Sequence, residues 1–168
     1  MGKVALPVNT VKVGDNVHID IWDAETGELI ERRQSHNTVV TLGLNAIRDY
    51  LYWMSTADGV QPFGVYYVSL GQSTAATAST STGLGSEAYR DTPTQRTKGS
   101  ATITWKLFLG SSNGNGSTFT EIGLHLNSTS TAANNGDLFS RALFTAVQKT
   151  SSIGLTCSWE HTFADDGV

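Results

Sequence analysis

Cysteine, charge and long apolar runs are all scarce in this sequence, and each scarcity removes a class of function. Cys157 is the single cysteine among 168 residues, so neither an intramolecular disulfide nor a multi-cysteine metal site can form. It falls on the apolar side of an alternating segment, which reads as a small buried thiol and not a nucleophile. Charged residues make up 15% of the chain, against about 25% in an average domain, and the formal net charge is −4. The 11 Lys and Arg are scattered, so no basic face is present to neutralise phosphates, and nucleic acid is not expected as a partner. The one adjacent basic pair, Arg32-Arg33, follows Glu28 and Glu31 and reads as a solvated strand edge. No stretch approaches a membrane span, which needs about 18 apolar residues, and no signal-peptide-like run opens the sequence. The expectation is a protein made in the cytosol, with no membrane partner.

What is present is a β pattern rich in Ser, Thr, Gly and Asn. The length suits one domain, since domains cluster near about 100–150 residues, and a chain of this size can bury a true core. Residues 1–13 carry isolated apolar positions, Val4, Leu6, Val8, Val11 and Val13, around Pro7. Pro7 disfavours a central strand, and two readings stand: a loose terminus, or an extended arm ordered by a neighbouring subunit. Residues 14–168 read as a single domain. Val17, Ile19 and Ile21 alternate with His18, Asp20 and Trp22, the period of a half-buried strand. Asp23 to Gly27 is a turn with Gly27 at positive φ, and Glu28 to Arg32 returns as a hairpin ending at His36-Asn37. Leu44, Ile47, Leu51 and Met54 then fall on one helical face, which predicts a helix near 41–55 with Thr41 as its N-cap and Ala57-Asp58-Gly59 as its stop.

The remainder returns to strands. Val65 to Leu70 is an apolar strand running through Gly71 into a Ser/Thr/Ala tract that ends at Thr82, followed by Gly83-Leu84-Gly85-Ser86-Glu87-Ala88-Tyr89-Arg90. This stretch reads as an exposed loop on a β-framework. Ile103, Trp105, Leu107 and Leu109 form one face of a strand, and Gly110 to Ser117 a flexible turn. Phe119 to Leu126 and Leu138 to Val147 are strands joined through Asn134-Asn135-Gly136-Asp137, a turn that needs positive φ. In the last strand Leu155, Cys157, Trp159, His161 and Phe163 share a face. Short strands between Gly/Asn turns predict a mainly β fold, an antiparallel sandwich or jelly-roll-like domain carrying one helix.

Chemistry is hard to find in this pattern. Ser86 sits in a Gly-Leu-Gly-Ser-Glu setting that reads as a turn and not as a nucleophile elbow. His18, His36, His125 and His161 are dispersed, which disfavours a metal site, and Gly83-x-Gly85 lacks the third glycine and following helix of a phosphate loop. No cofactor is expected. Trp22, Tyr66, Tyr67, Tyr89 and Trp105 offer the aromatics of a sugar platform, though on strands such residues more often pack a core or an interface. What remains is a set of isolated charges, Glu87, Arg90, Glu121, Arg141 and Lys149, near apolar strands. They are either solvated strand ends or buried ions. Any that are buried should be paired, because a lone buried ion costs several kcal/mol, and their expected role is to fix strand-end or subunit-interface geometry, not acid/base catalysis.

Several of these segments carry a likeness in their order along the chain. Asn37 to Leu44 leads into the helix, then come Leu70-Gly71 with its Ser/Thr tract, Leu84 to Arg90, and Glu121-Ile122-Gly123-Leu124. Arg141-Ala142-Leu143-Phe144, Gln148 to Ser152 and Leu155 to Phe163 complete it. In this order the chain resembles tailed-bacteriophage virion structural proteins, a group of head-decoration (cement) proteins and the β-domains of tail-fibre or adaptor proteins. The resemblance implies a β-sandwich or tulip-like domain without catalysis, often a homotrimer, residing in the virion. The missing fibre shaft points to a decoration protein that stabilises the head by contacting the major capsid protein, with the apolar residues of the arm lying on the shell. The alternative is a tail-fibre, tail-tip or adaptor module contacting tail proteins or host glycan.

Overall fold

Alternation of apolar and polar residues builds two five-stranded antiparallel sheets that face each other. The computed structural model describes residues 11–45, 47, 64–126 and 132–165. Sheet A has the order β2 (Leu29–Ser35), β1 (Val11–Asp23), β10 (Ile153–Asp165), β7 (Thr102–Leu109), β6 (Gln95–Lys98). Sheet B has the order β3 (Asn37–Val39), β9 (Asp137–Gln148), β8 (Thr118–Leu126), β4 (Val65–Gly71), β5 (Glu87–Asp91). The fold is the mainly β sandwich expected from the sequence. The longest pairing joins β1 and β10 over thirteen residues, from Val11 opposite Asp165 to Asp23 opposite Ile153. Between the sheets lie Val17, Ile19 and Ile21, Leu107 and Leu109, Leu155, Cys157 and Trp159 from one side. Val68, Leu70, Phe119, Ile122, Leu124 and Phe139 meet them from the other. Burial pushes the Cys157 thiol up to about 12, aided by the charge of Asp20, so it is an unreactive core residue.

Both flanks of the sandwich are closed by the chain itself. At His36 it leaves β2 and enters β3 in the other sheet, and between β5 and β6 it crosses back through Thr92-Pro93-Thr94. Strand β3 covers β9 only from Ser140 to Ala142. Beyond it, Ser35 Oγ donates to the Leu143 carbonyl, and Arg33 Nη1 donates to the carbonyls of Thr145 and Ala146, both at 2.6 Å. Side chains of one sheet thus satisfy an open backbone edge of the other, which would otherwise template pairing with a foreign strand.

Several sequence expectations shift. Val11 and Val13 belong to β1, opposite Asp165 and Phe163, so the domain begins before residue 14; Val4, Leu6 and Val8 lie outside the described residues. The helix starts as expected, with residues 41–45 and 47 helical, while Leu51 and Met54 lie outside the described residues. Its cap is Val40, whose carbonyl accepts from the Leu44 amide at 3.1 Å, and the Thr41 amide instead donates to Ser79 O at 2.7 Å. Leu44 is 52% exposed. Gly43 takes its place against the core, because a Cβ there would collide with the Phe139 carbonyl, and Ile47 packs one turn further on. Strand β5 replaces the end of what reads as loop, and β6 forms where the sequence reading assigned no element. β6 is exposed along its whole length, so no apolar period marks it. The turns stand where expected, with φ of +72° at Gly27, +52° at Asn134 and +85° at Gly136.

Candidate functional site

Strand β8 is buried along both faces: every residue from Phe119 to Leu126 is shielded, including Glu121 and His125 on the side away from the core. The cover is the Ser/Thr tract. Residues 72–86 leave β4, cross the outer face of sheet B to its far edge, and return to β5. On the way out Ser73 O accepts from Thr120 Oγ1 at 2.9 Å, over β8. Ala75 and Ala76 carbonyls accept from Arg141 Nη2 and Nη1 at 2.9 and 3.3 Å, over β9. Thr77 Oγ1 meets Thr38 Oγ1 at 3.1 Å, over β3. On the return Leu84 inserts above Gly123, where a Cβ would stand 2.9 Å from Leu84 Cδ2 and 3.0 Å from Leu138 Cδ1. The segment is a strap, and Gly123 is the socket for its one apolar anchor.

Two buried ion pairs clamp this strap. Glu121 is fully buried, and its Oε1 accepts the amides of Ser73 and Ser86 at 3.1 and 2.9 Å. Its Oε2 accepts the Gly85 amide at 3.0 Å and Arg141 Nε at 2.8 Å. The carboxylate therefore holds both ends of the strap with charge-assisted bonds, and Arg141 holds its middle. Gly71 has no room for a Cβ because Glu121 Oε1 occupies that space. The second clamp joins Glu87 and Arg90 of β5, Nε to Oε1 at 2.6 Å and Nη2 to Oε2 at 2.9 Å, with both side chains buried. Arg90 also donates to Asn135 O at 2.6 Å and lies over the Tyr67 ring, 5.3 Å from its centroid. Glu87 Oε2 accepts the Asn134 amide at 2.9 Å, and the Asn134 side chain pairs with both backbone groups of Leu84 at 2.8 and 3.1 Å. The turn before β9 is thereby locked to the strap.

Lys149 is buried but forms no ion pair among the described residues. Its Nζ donates to Asn115 Oδ1 at 2.9 Å and Thr150 O at 2.8 Å, and burial pulls its pKa down. It stitches the β7–β8 turn to the β9–β10 connection, so the expected flexible turn at 110–117 is held in place. Of the five charges read from the sequence, four therefore form two Arg–Glu pairs, and the fifth is held by neutral oxygens.

Between the clamps, Ser69, His125 and Glu87 converge in a way that invites comparison with a serine hydrolase. Ser69 Oγ is 2.8 Å from His125 Nε2, and Glu87 Oε2 is 3.7 Å from that same nitrogen. A triad needs serine and acid on opposite ring nitrogens, so that the acid orients the base toward the nucleophile. Here both approach Nε2, while Nδ1 has no partner among the described residues. Ser69 and His125 are fully buried beneath the strap. Burial, with the Arg90 charge adding and the Glu87 charge opposing, pulls His125 down to about 4, so it stays neutral at physiological pH. The group is a packed polar filler. Gly110-Ser111-Ser112-Asn113-Gly114 spells a Gly-x-Ser-x-Gly spacing, yet it joins two strands and has no following helix, so it is no nucleophile elbow.

The other sequence candidates scatter. Tyr67 and Trp105 are buried and Tyr89 packs on the core edge, so the proposed aromatic platform is not assembled; Trp22 lies apart on sheet A. Among the described residues no group of three His, Cys, Asp or Glu is placed to hold a metal ion. His161 sits between Trp105, Phe139 and Trp159, with ring centroids 5.1, 5.0 and 6.0 Å away. Leu84, Gly123 and Asn134 entered the sequence reading only as parts of segments or turns and His125 only as a dispersed histidine, while Ser69 was not named; none was read as part of this site. Their one signal is a glycine between titratable residues on the off-face of β8, the pattern Glu121-x-Gly123-x-His125. Compared with protein-family models, curated proteins and solved structures, the chain matches none of them.

Proposed function

We propose that the protein is a non-enzymatic structural subunit of a tailed-phage virion, a head-decoration protein that associates with itself as a homotrimer and with the major capsid protein. One observation carries this reading. The segments that resemble virion proteins, Leu70-Gly71, Leu84 to Arg90, Glu121 to Leu124 and Arg141 to Phe144, are the same segments that build the strap and its clamps. Their ions are buried and turned inward, where they hold a hydroxyl-rich surface rigid. A rigid, weakly charged surface suits repeated packing against protein neighbours. Exposed Leu29 and Ile30 on edge strand β2, 45% and 58% accessible, supply apolar area for self-association.

The test is localisation in purified particles by immuno-labelling, with sedimentation of the isolated protein for its oligomeric state. Label distributed over the whole head is the expected result. Label confined to the tail would transfer the protein to the tail-adaptor class, and particles without label would overturn the virion reading. Removing residues 1–10, which spares β1, should leave the domain folded and abolish shell binding; undiminished decoration would remove the arm from the account.

A further inference from the structure

Among the described residues no strap crosses the outer face of sheet A, and at one end this face carries a cleft of about 430 Å³ lined by Trp22, Asp23, Phe108, Ser111, Gly154 and Thr156. Strand register explains how it forms. Trp22 of β1 lies opposite Gly154 of β10, and Thr156 of β10 lies opposite Phe108 of β7. Two aromatic walls therefore stand on either side of a residue without a side chain. A Cβ built at Gly154 would lie 3.5 Å from Phe108 Cε2 and 3.7 Å from Trp22 Cβ, so the glycine floor touches both walls. One wall is set in advance and the other stands open to solvent. Trp22 Nε1 donates to Thr156 Oγ1 at 3.1 Å, which fixes the indole, and Phe108 is 53% exposed.

The rim is polar, and its Asp23 turn is held in place. Asp23 Oδ1 accepts the Thr26 and Glu25 amides at 2.7 and 2.9 Å, and these bonds lower its pKa and keep it ionised. The Ala24 amide donates to Ser152 O at 2.9 Å, tying the turn to the β9–β10 connection. Aromatic walls over a glycine floor, with oxygens of Asp23, Ser111 and Thr156 around them, match a ligand with an apolar face and a hydroxyl edge. A pyranose has that shape: its axial C–H groups stack on aromatic rings while its hydroxyls meet carboxylate, serine and threonine. An ionised Asp23 and a net charge of −4 disfavour acidic sugars.

We propose that this cleft binds a neutral pyranose residue of a glycan, stacked between Trp22 and Phe108 above Gly154. The inference is independent of virion assembly, since sugar binding and shell binding are read by separate measurements. For so small a ligand the affinity is expected on the order of millimolar per sugar unit. The full chain is titrated with neutral methyl hexopyranosides (gluco, galacto and manno) and with N-acetylneuraminic acid, while NMR follows the Trp22 indole N–H. At least one neutral pyranoside should shift that resonance saturably, and the acidic sugar should not. Phe108→Ala, at an exposed position, should weaken binding at least tenfold. Gly154→Val should abolish it by filling the floor, without lowering the thermal unfolding midpoint. The proposal is overturned if no neutral pyranoside binds, if both variants bind as the parent does, or if the acidic sugar binds as well. Loss of self-association in these variants without any sugar binding would likewise overturn it, and would make the cleft an interface between copies.

Discussion

The two outer faces of this sandwich are made from similar strands and have opposite fates. On sheet A the outward residues of the central strand, Thr156, Ser158 and Glu160, are half-exposed, and burial alternates residue by residue in its neighbour β7. On sheet B the outward residues of the central strand, Glu121, Gly123 and His125, are fully shielded by a strap that crosses β8 and β9 on its way from β4 to the edge strand β3. The difference teaches that an ion on a strand is solvated or structural according to what crosses above it. Asp20–Arg32 on sheet A, bidentate at 2.7 and 3.0 Å, joins a buried carboxylate to a guanidinium that is 54% exposed, so solvent shares in the pair. Glu121–Arg141 has the same chemistry under a lid, and there each partner compels the presence of the other.

Substitution tests this contrast most strongly at the clamps. Arg141→Met strands a buried carboxylate and should lower unfolding free energy by about 3–5 kcal/mol in urea titration. Arg32→Met should produce a far smaller change, and equal effects would break the comparison. Next, Leu84→Ala removes the strap's apolar anchor and should cost about 3 kcal/mol, with new protease cleavage between residues 72 and 83. Stability lost without new cleavage would mean that the ions alone retain the strap.

The pH dependence is slightly smaller. His125 titrates at the ordinary 6.5 when unfolded and at about 4 in the fold, so the unfolded chain binds the extra proton between those values. Its contribution is complete above 6.5 and is lost as pH falls toward 4, a total of about 3 kcal/mol. Urea midpoints at pH 7 and 4.5 should therefore diverge more in the parent than in His125→Gln. Identical divergence would remove His125 as the source. The smallest effect compares two glycines. Gly123→Ala, crowded by Leu84 and Leu138, should destabilise by about 1–3 kcal/mol, whereas Gly154→Ala, with only ordinary contacts, should stabilise by about 0.5 kcal/mol. Matching signs would show that the socket is not tight.

Much of the framework was legible because it is local. The inward stripes of β1 and β10, and the turns at Gly27 and Asn134–Gly136, follow from side-chain period and backbone sterics within a few residues. Strand β6 was not legible, because Gln95-Arg96-Thr97-Lys98 has no apolar member and is fixed by pairing with β7. The helix face was misread at Leu44, since close approach to Phe139 selects the residue that lacks a side chain, Gly43. The charges that form the clamps were visible as a set, but their partners and the neutral setting of Lys149 were not.

The amino-acid order by itself determined that two amphipathic sheets would form and which of their faces would meet, because apolar alternation has one way to hide from water. It left open what becomes of the opposite faces. Only the folded chain decided that, by sending the strap over sheet B so that amides 35 to 48 residues distant in sequence close on the Glu121 carboxylate. No described segment crosses the outer face of sheet A, which carries an aromatic cleft at its end. The physical reason is range: alternation acts between neighbouring residues, whereas the solvation of an ion depends on chain that arrives from elsewhere.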